Sequence, residues 1–308
     1  MKKTFRFLLF TVIAGSVTFT SCKKSDDTTS DNSSQLTTHS DDQSRFSNES
    51  DAAMNDADAA IESFPAFSGR EQSTLMLPCD ATVVLDSTAT DRRVTITYNG
   101  TNCSGTRTRT GVVVLTMPLG QRWVMPGATL TATFQNLKIT RLSDNKSITI
   151  NGNHIVKNVT GGRLAQLSSL GTIIHEISST GMNVTFDNGS TRSWQVAKKR
   201  TFTYDNGIVI RTIGTHTEGS ITGISEWGTN RFGDAFVTAI TEPMTIRQDC
   251  NFRLVSGQVT HSRLLATVVV TFGLDVTGAP TTCPAGVFYY KLVWTGANGV
   301  TRTYILPY

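Results

Sequence analysis

Along most of this chain apolar and polar residues alternate one by one. In Arg93 to Tyr98 the apolar set is Val94, Ile96 and Tyr98; in Thr129 to Gln135 it is Leu130, Ala132 and Phe134; in Thr201 to Asp205 it is Phe202 and Tyr204. Successive strand side chains point to opposite faces, so a period of two marks sheets with one face on a core and the other in water, as antiparallel pairing allows. Asn-Gly, the pair favoured in tight hairpin turns, occurs at Asn99-Gly100, Asn151-Gly152, Asn188-Gly189, Asn206-Gly207 and Asn298-Gly299. Residues 78–308 are therefore expected to form an all-β body, an antiparallel meander of many hairpins that makes a sandwich or a half-open barrel.

The first part of the chain has a different pattern. Lys2, Lys3 and Arg6 precede an apolar run from Phe7 to Phe19, the charged-then-apolar order of a secretory signal. Phe19-Thr20-Ser21-Cys22 follows and resembles the lipobox of bacterial lipoproteins, which implies that residues 1–21 are a signal peptide and that Cys22 carries the lipid. Lys24-Ser25-Asp26-Asp27 is similar to the signal that sends Bacteroidota lipoproteins to the cell surface, so the expected location is the outer membrane, lipid-anchored and facing outward. Residues 22–47 are almost free of apolar side chains and are expected to be a disordered acidic tether. Within 48–77 a short helix is expected, capped by Ser47 or Ser50, packing by Met54, Ala57 and Ile61, with Asp56 and Asp58 on its solvated side.

Charge sharpens this division. Residues 23–62 hold ten acids against three bases, net −7, whereas residues 63–308 hold 22 bases against 14 acids, net +8. A basic body could meet polyanions such as acidic glycans or lipopolysaccharide. Arg107 and Arg109 share one strand face and are the candidate basic patch, while Lys198 and Lys199 point opposite ways. Trp123 lies between turn formers in Gly120 to Gly127 and is the candidate for stacking on a sugar ring, with burial in the core the alternative; Trp194 and Trp294 sit in alternating runs and read as core.

Four cysteines follow Cys22, an even number in a secreted chain. Cys79 with Cys103, and Cys250 with Cys283, is the preferred pairing, because each pair brackets two strand-like runs and is followed by a glycine and a third strand, a faint internal repeat at the two ends of the body. No close Cys-x-x-Cys pair suggests a metal. No nucleophile elbow, phosphate loop or dinucleotide fingerprint is present, so no cofactor and no nucleic-acid partner is expected. His216, Glu218 and His261 could form a metal site or be plain surface residues, and the acids Glu218, Glu226, Asp234, Glu242 and Asp249 could supply a carboxylate pair.

The order Asn99-Gly100-Thr101-Asn102-Cys103-Ser104-Gly105, Arg107, Arg109, Ser193-Trp194, Gly228 to Gly233, Cys250-Asn251-Phe252 and Val255-Ser256-Gly257 resembles a group of uncharacterised Bacteroidota outer-membrane lipoproteins. The resemblance implies the class and transfers no catalytic residue. The expected function is that of a membrane-anchored binding or structural module. A carbohydrate-active hydrolase and a periplasmic carrier of lipid or another hydrophobic ligand are the alternatives.

Overall fold

The computed structural model describes residues 28–64, 77–88, 90–263, 266–283, 287–296 and 299–308. Residues 1–21, expected to be a signal peptide, Cys22 and the Lys24 to Asp27 motif lie outside them. One long helix, α1 (Thr28–Ser63), precedes fifteen strands. The first seven are β1 (Ala81–Ser87), β2 (Asp91–Thr101), β3 (Arg107–Pro118), β4 (Ala128–Arg141), β5 (Ser147–Asn158), β6 (Thr172–Phe186) and β7 (Thr191–Tyr204). A single helical turn, α2 (Leu167–Leu170), lies between β5 and β6. The rest are β8 (Ile208–Gly214), β9 (His216–Glu218), β10 (Ile221–Thr229), β11 (Ala235–Arg247), β12 (Arg253–Arg263), β13 (Ala266–Leu274), β14 (Tyr289–Gly296) and β15 (Thr301–Pro307).

All pairings are antiparallel, and the strands form one sheet in nearly sequential order. The exception is local. β7 pairs with β10 through Trp194 to Val196 and with β8 from Lys198 onward, so β8 and β10 share one lane between β7 and β11. The expected alternation holds strand by strand; on β4, Ala128, Leu130, Ala132 and Phe134 point inward and their neighbours outward. Bulges interrupt the pairing across β3 to β6, near Gly111, Asn136, Gly152 and Gly181. Gly111 and Gly152 have positive φ, and a Cβ on either would lie within 2.6 Å of the neighbouring strand's backbone. Such bulges bend strands and raise local twist, which lets the sheet curl.

Two of the Asn-Gly pairs are not turns. Asn99-Gly100 lies within β2, and Asn151-Gly152 sits at the bulge of β5. Asn188-Gly189 and Asn206-Gly207 do join strands, and Gly299 closes the β14–β15 turn, with Asn298 outside the described residues.

The largest departure concerns the acidic segment. Instead of a disordered tether to residue 47 and a short helix after it, a 36-residue helix begins at Thr28. It is about 54 Å long at 1.5 Å per residue. From Thr37 to Phe64 no residue is exposed, because the curled sheet surrounds the helix. Phe46, Ala53, Met54, Ala57, Ala60 and Ile61 join a core with β2 to β7 and with Phe236 of β11. A second core needs no α1 residue: Phe202, Ile208 and Ile210 meet Val268, Val270, Phe272, Tyr290, Leu292 and Trp294. Both expected disulfides are present, Cys79–Cys103 and Cys250–Cys283, with Cα atoms 5.7 and 5.1 Å apart.

Candidate functional site

The carboxylates of α1 recur at intervals of seven, which keeps them on two stripes: Asp42, Glu49 and Asp56 on one, Asp51 and Asp58 on the other. The sheet supplies bases at intervals of two, the spacing of one strand face: Arg107 and Arg109 on β3, Lys198 and Arg200 on β7. Helix and sheet are thus matched in sign and in period. Glu49 pairs with Arg107 at 3.1 Å and Asp56 with Arg109 at 2.7 Å. On the other side Asp51 faces Lys198 at 3.6 Å, and Asp58 faces Arg200 and His175, each at 3.8 Å.

Three more pairs hold the ends. Asp41 meets Arg141 at 2.8 Å, and Asp42 accepts two hydrogen bonds of 2.6 Å from the guanidinium of Arg231, in the turn after β10. At the other end Glu62 accepts from Arg163 and from the backbone N–H of Leu164, both at 2.9 Å. Beneath the helix, Glu226 of β10 is fully buried; it accepts from Trp194 Nε1 at 3.0 Å, Lys198 Nζ at 2.8 Å, Gln43 Nε2 at 3.3 Å and the Ser47 hydroxyl.

Burial sets the protonation of these groups. Desolvation raises the carboxyls of Asp42, Glu49, Asp56 and Glu62, against the pull of their arginines, and raises Asp58 to about 7. Burial holds three histidines neutral: His154 and His175 are lowered to about 3, and His261 to about 4. Lys198 is disfavoured as a cation by burial, but Asp51 and Glu226 outweigh that and raise it.

The candidate residues fall out as follows. Arg107 and Arg109 do share a face, but it is the concave one. Arg109 is 5 % exposed and is held by both oxygens of Asp80, at 2.6 and 2.7 Å, as well as by Asp56, so the pair is not an open patch for polyanions. Asp56 and Asp58 are on no solvated side. Trp123 is 2 % exposed rather than available for stacking: its loop folds back, Asn158 donates to the Trp123 carbonyl at 2.8 Å, and the indole meets His175 edge-on. Trp194 and Trp294 are core, as expected. His216 stacks on Trp227, while His261 is buried against Thr238, so His216, Glu218 and His261 form no cluster. Among the described residues one group has metal-ligand spacing, Asp249, Cys250 and Cys283, and its two sulfurs are already joined in a disulfide.

No protein-family model, curated protein or solved structure matches this chain. The chemistry of the site therefore rests on its own geometry. That geometry neutralises buried charge and sets the register of the helix; of the candidate acids, Glu226 is buried against Lys198, Asp234 is half-buried, and Glu218, Glu242 and Asp249 are exposed at the surface.

Proposed function

We propose that the protein is a lipid-anchored module of the outer membrane, facing the cell surface, that acts by binding or as a structural element and not by catalysis. The observation that carries this reading is that the chain's own acidic helix fills the concave face of the sheet. A hydrolase would need a carboxylate pair in an open cleft, and a hydrophobic-ligand carrier would need apolar space inside the sheet; α1 occupies the space both would use. Cys22 precedes Thr28 by six residues, a span of at most about 20 Å. A lipid on Cys22 would therefore hold the body close to the membrane, with α1 the rigid joint between anchor and sheet.

A polyanionic partner, acidic glycan or lipopolysaccharide, would on this reading meet the outer face, where Lys138, Lys157 and Arg211 are exposed, because Arg107 and Arg109 are occupied. The test is metabolic acyl labelling with fractionation. Wild-type protein should carry label, stay with outer membranes and be cut by protease added to intact cells. Cys22→Ala should lose both label and membrane retention; full labelling of that variant would overturn the proposal.

A further inference from the structure

We propose that α1 is an exchangeable ligand of the sheet, and that the concave basic face of one copy takes the acidic helix of a second copy of this chain. The starting point is how α1 is held. The sheet's backbone ladder runs from β1 to β15 without any strand from the helix. The contacts of α1 with the body are made by side chains, and residues 65–76, outside the described set, are its covalent connection to β1. An identical helix arriving from another chain would therefore find every contact that the resident helix makes.

The kind of contact matters as much as its location. Asp41, Asp42, Glu49, Asp51, Asp56, Asp58 and Glu62 each pair with a base of the body. In a buried ion pair, desolvation offsets most of the attraction, so such pairs select register and partner more than they add stability. They specify which helix fits without locking it in place. An empty face is excluded on other grounds, since Phe46, Met54 and Ile61 cover a large apolar surface that would otherwise face water. The sheet needs a helix with these carboxylates and these apolar side chains, and a second copy is the partner that has both.

The first half of the helix is also less well fitted. Ser40 Oγ, Gln43 Oε1 and Ser44 Oγ are buried without hydrogen-bond partners, as is Thr212 Oγ1 on the facing strand. There a cavity of about 20 Å³, room for about one water molecule, separates polar Gln43, Ser47 and Asp51 from apolar Met244, Val259 and Phe272. Polar helix surface lies opposite apolar sheet wall, each unsatisfied group is costly, and opening begins most easily in this half.

Charge exchange at Asp42 and Arg231 tests this. Full-length chains in detergent would be refolded as Asp42→Arg alone, as Arg231→Asp alone, as a mixture of the two, and as one chain carrying both changes. In the mixture, exchange of helices restores opposite charges at both sites. The expected result is a predominant one-to-one dimer in the mixture, with twice the monomer mass, and a predominant monomer from the doubly changed chain at the same concentration. If the mixture yields only what its components yield separately while the doubly changed chain folds, the proposal is overturned. Wild-type chains with two different tags give a second reading. Refolded together, they should co-purify in a fraction that grows with concentration, because the intramolecular helix competes at an effective concentration on the order of millimolar. Absence of co-purification at every concentration would equally overturn it.

Discussion

The two ends of the sheet obey the same alternation and enclose different interiors. Around β2 to β7 the inward positions include Arg109, His154, His175, Lys198 and Arg200, and the space they face is filled by a polar helix. Around β12 to β15 the inward positions include Val259, Val268, Val270, Phe272, Tyr290, Leu292 and Trp294, which pack on one another as one apolar cluster, with Val259 and Phe272 at its border with α1. Alternation therefore tells which residues face inward without telling what they face. In the first region the interior is specified by charge matching between two parts of one chain. In the second it is specified by apolar packing, with the ring of Tyr308 set edge-on against Phe272 at 5.3 Å.

The contrast can be broken most forcefully at Arg109. Arg109→Met leaves Asp56 and Asp80 buried without their cation, and urea unfolding should show a loss of about 3–5 kcal/mol. Leu292→Met, the matched change in the second region, keeps volume and polarity and should cost less than about 1.5 kcal/mol. Equal losses would mean that the two interiors do not differ in kind.

Next in size come the disulfides. Removing either by Cys→Ser at both positions should cost about 3–4 kcal/mol in the chain-entropy account, since the closed loops are similar, with separations of 24 and 33 residues. Cys79 adjoins Asp80, which anchors Arg109, so loss of the first bridge should also make unfolding more sensitive to salt. Loss of the second bridge should leave the salt dependence as in wild type.

The third prediction concerns pH. His154 lies against the Phe134 ring, with Lys198 and Asp51 the charges that act on it, and it is held near 3 by burial, below its unfolded value of about 6.5. Between those values the unfolded chain binds the proton and the folded protein does not, so the stability present above pH 6.5 is lost as pH falls toward 3. Asp58, raised to about 7, acts in the opposite direction: its contribution is present at low pH and lost as pH rises through 7. Comparing wild type with His154→Phe cancels the Asp58 effect. The slope of stability against pH between about 6 and 4 should then differ by about 1.4 kcal/mol per pH unit. The smallest effect is expected at the surface, where Arg247 pairs with Asp205 and Asp249; Arg247→Ala should change stability by no more than about 1 kcal/mol.

Much of this architecture is legible in the amino-acid order. Period-two runs give β2, β4 and β7, and the bracketing cysteines give both bridges, because strand faces and loop lengths are local properties. Turn chemistry is less decisive: Gly152 serves a bulge instead of a hairpin, since a close backbone approach needs glycine as much as a tight turn does. Within α1 the apolar period of Met54, Ala57 and Ile61 makes the second half legible, whereas the turns before Ser47 stay hidden because nearly all of their buried residues are polar. His39, Ser40, Asp42 and Gln43 are buried and offer no hydrophobic period. What did announce them was charge, −7 in one segment against +8 in the next, together with carboxylates seven apart. Part of that asymmetry describes a contact inside the molecule, between α1 and the concave face of the sheet. Trp123 was ambiguous for a related reason, since flanking glycines mark a turn without saying whether the turn folds back on the core.

The burial of α1 is measured most directly by hydrogen–deuterium exchange of the intact protein. Backbone amides from Thr37 to Ser63 should be protected far above unfolded-chain rates, since no residue there is exposed, with Thr37 to Asp51 exchanging before Met54 to Ile61. Exchange of Thr37 to Asp51 at unfolded-chain rates, beside full protection of β4, would show a free acidic tether and contradict the account.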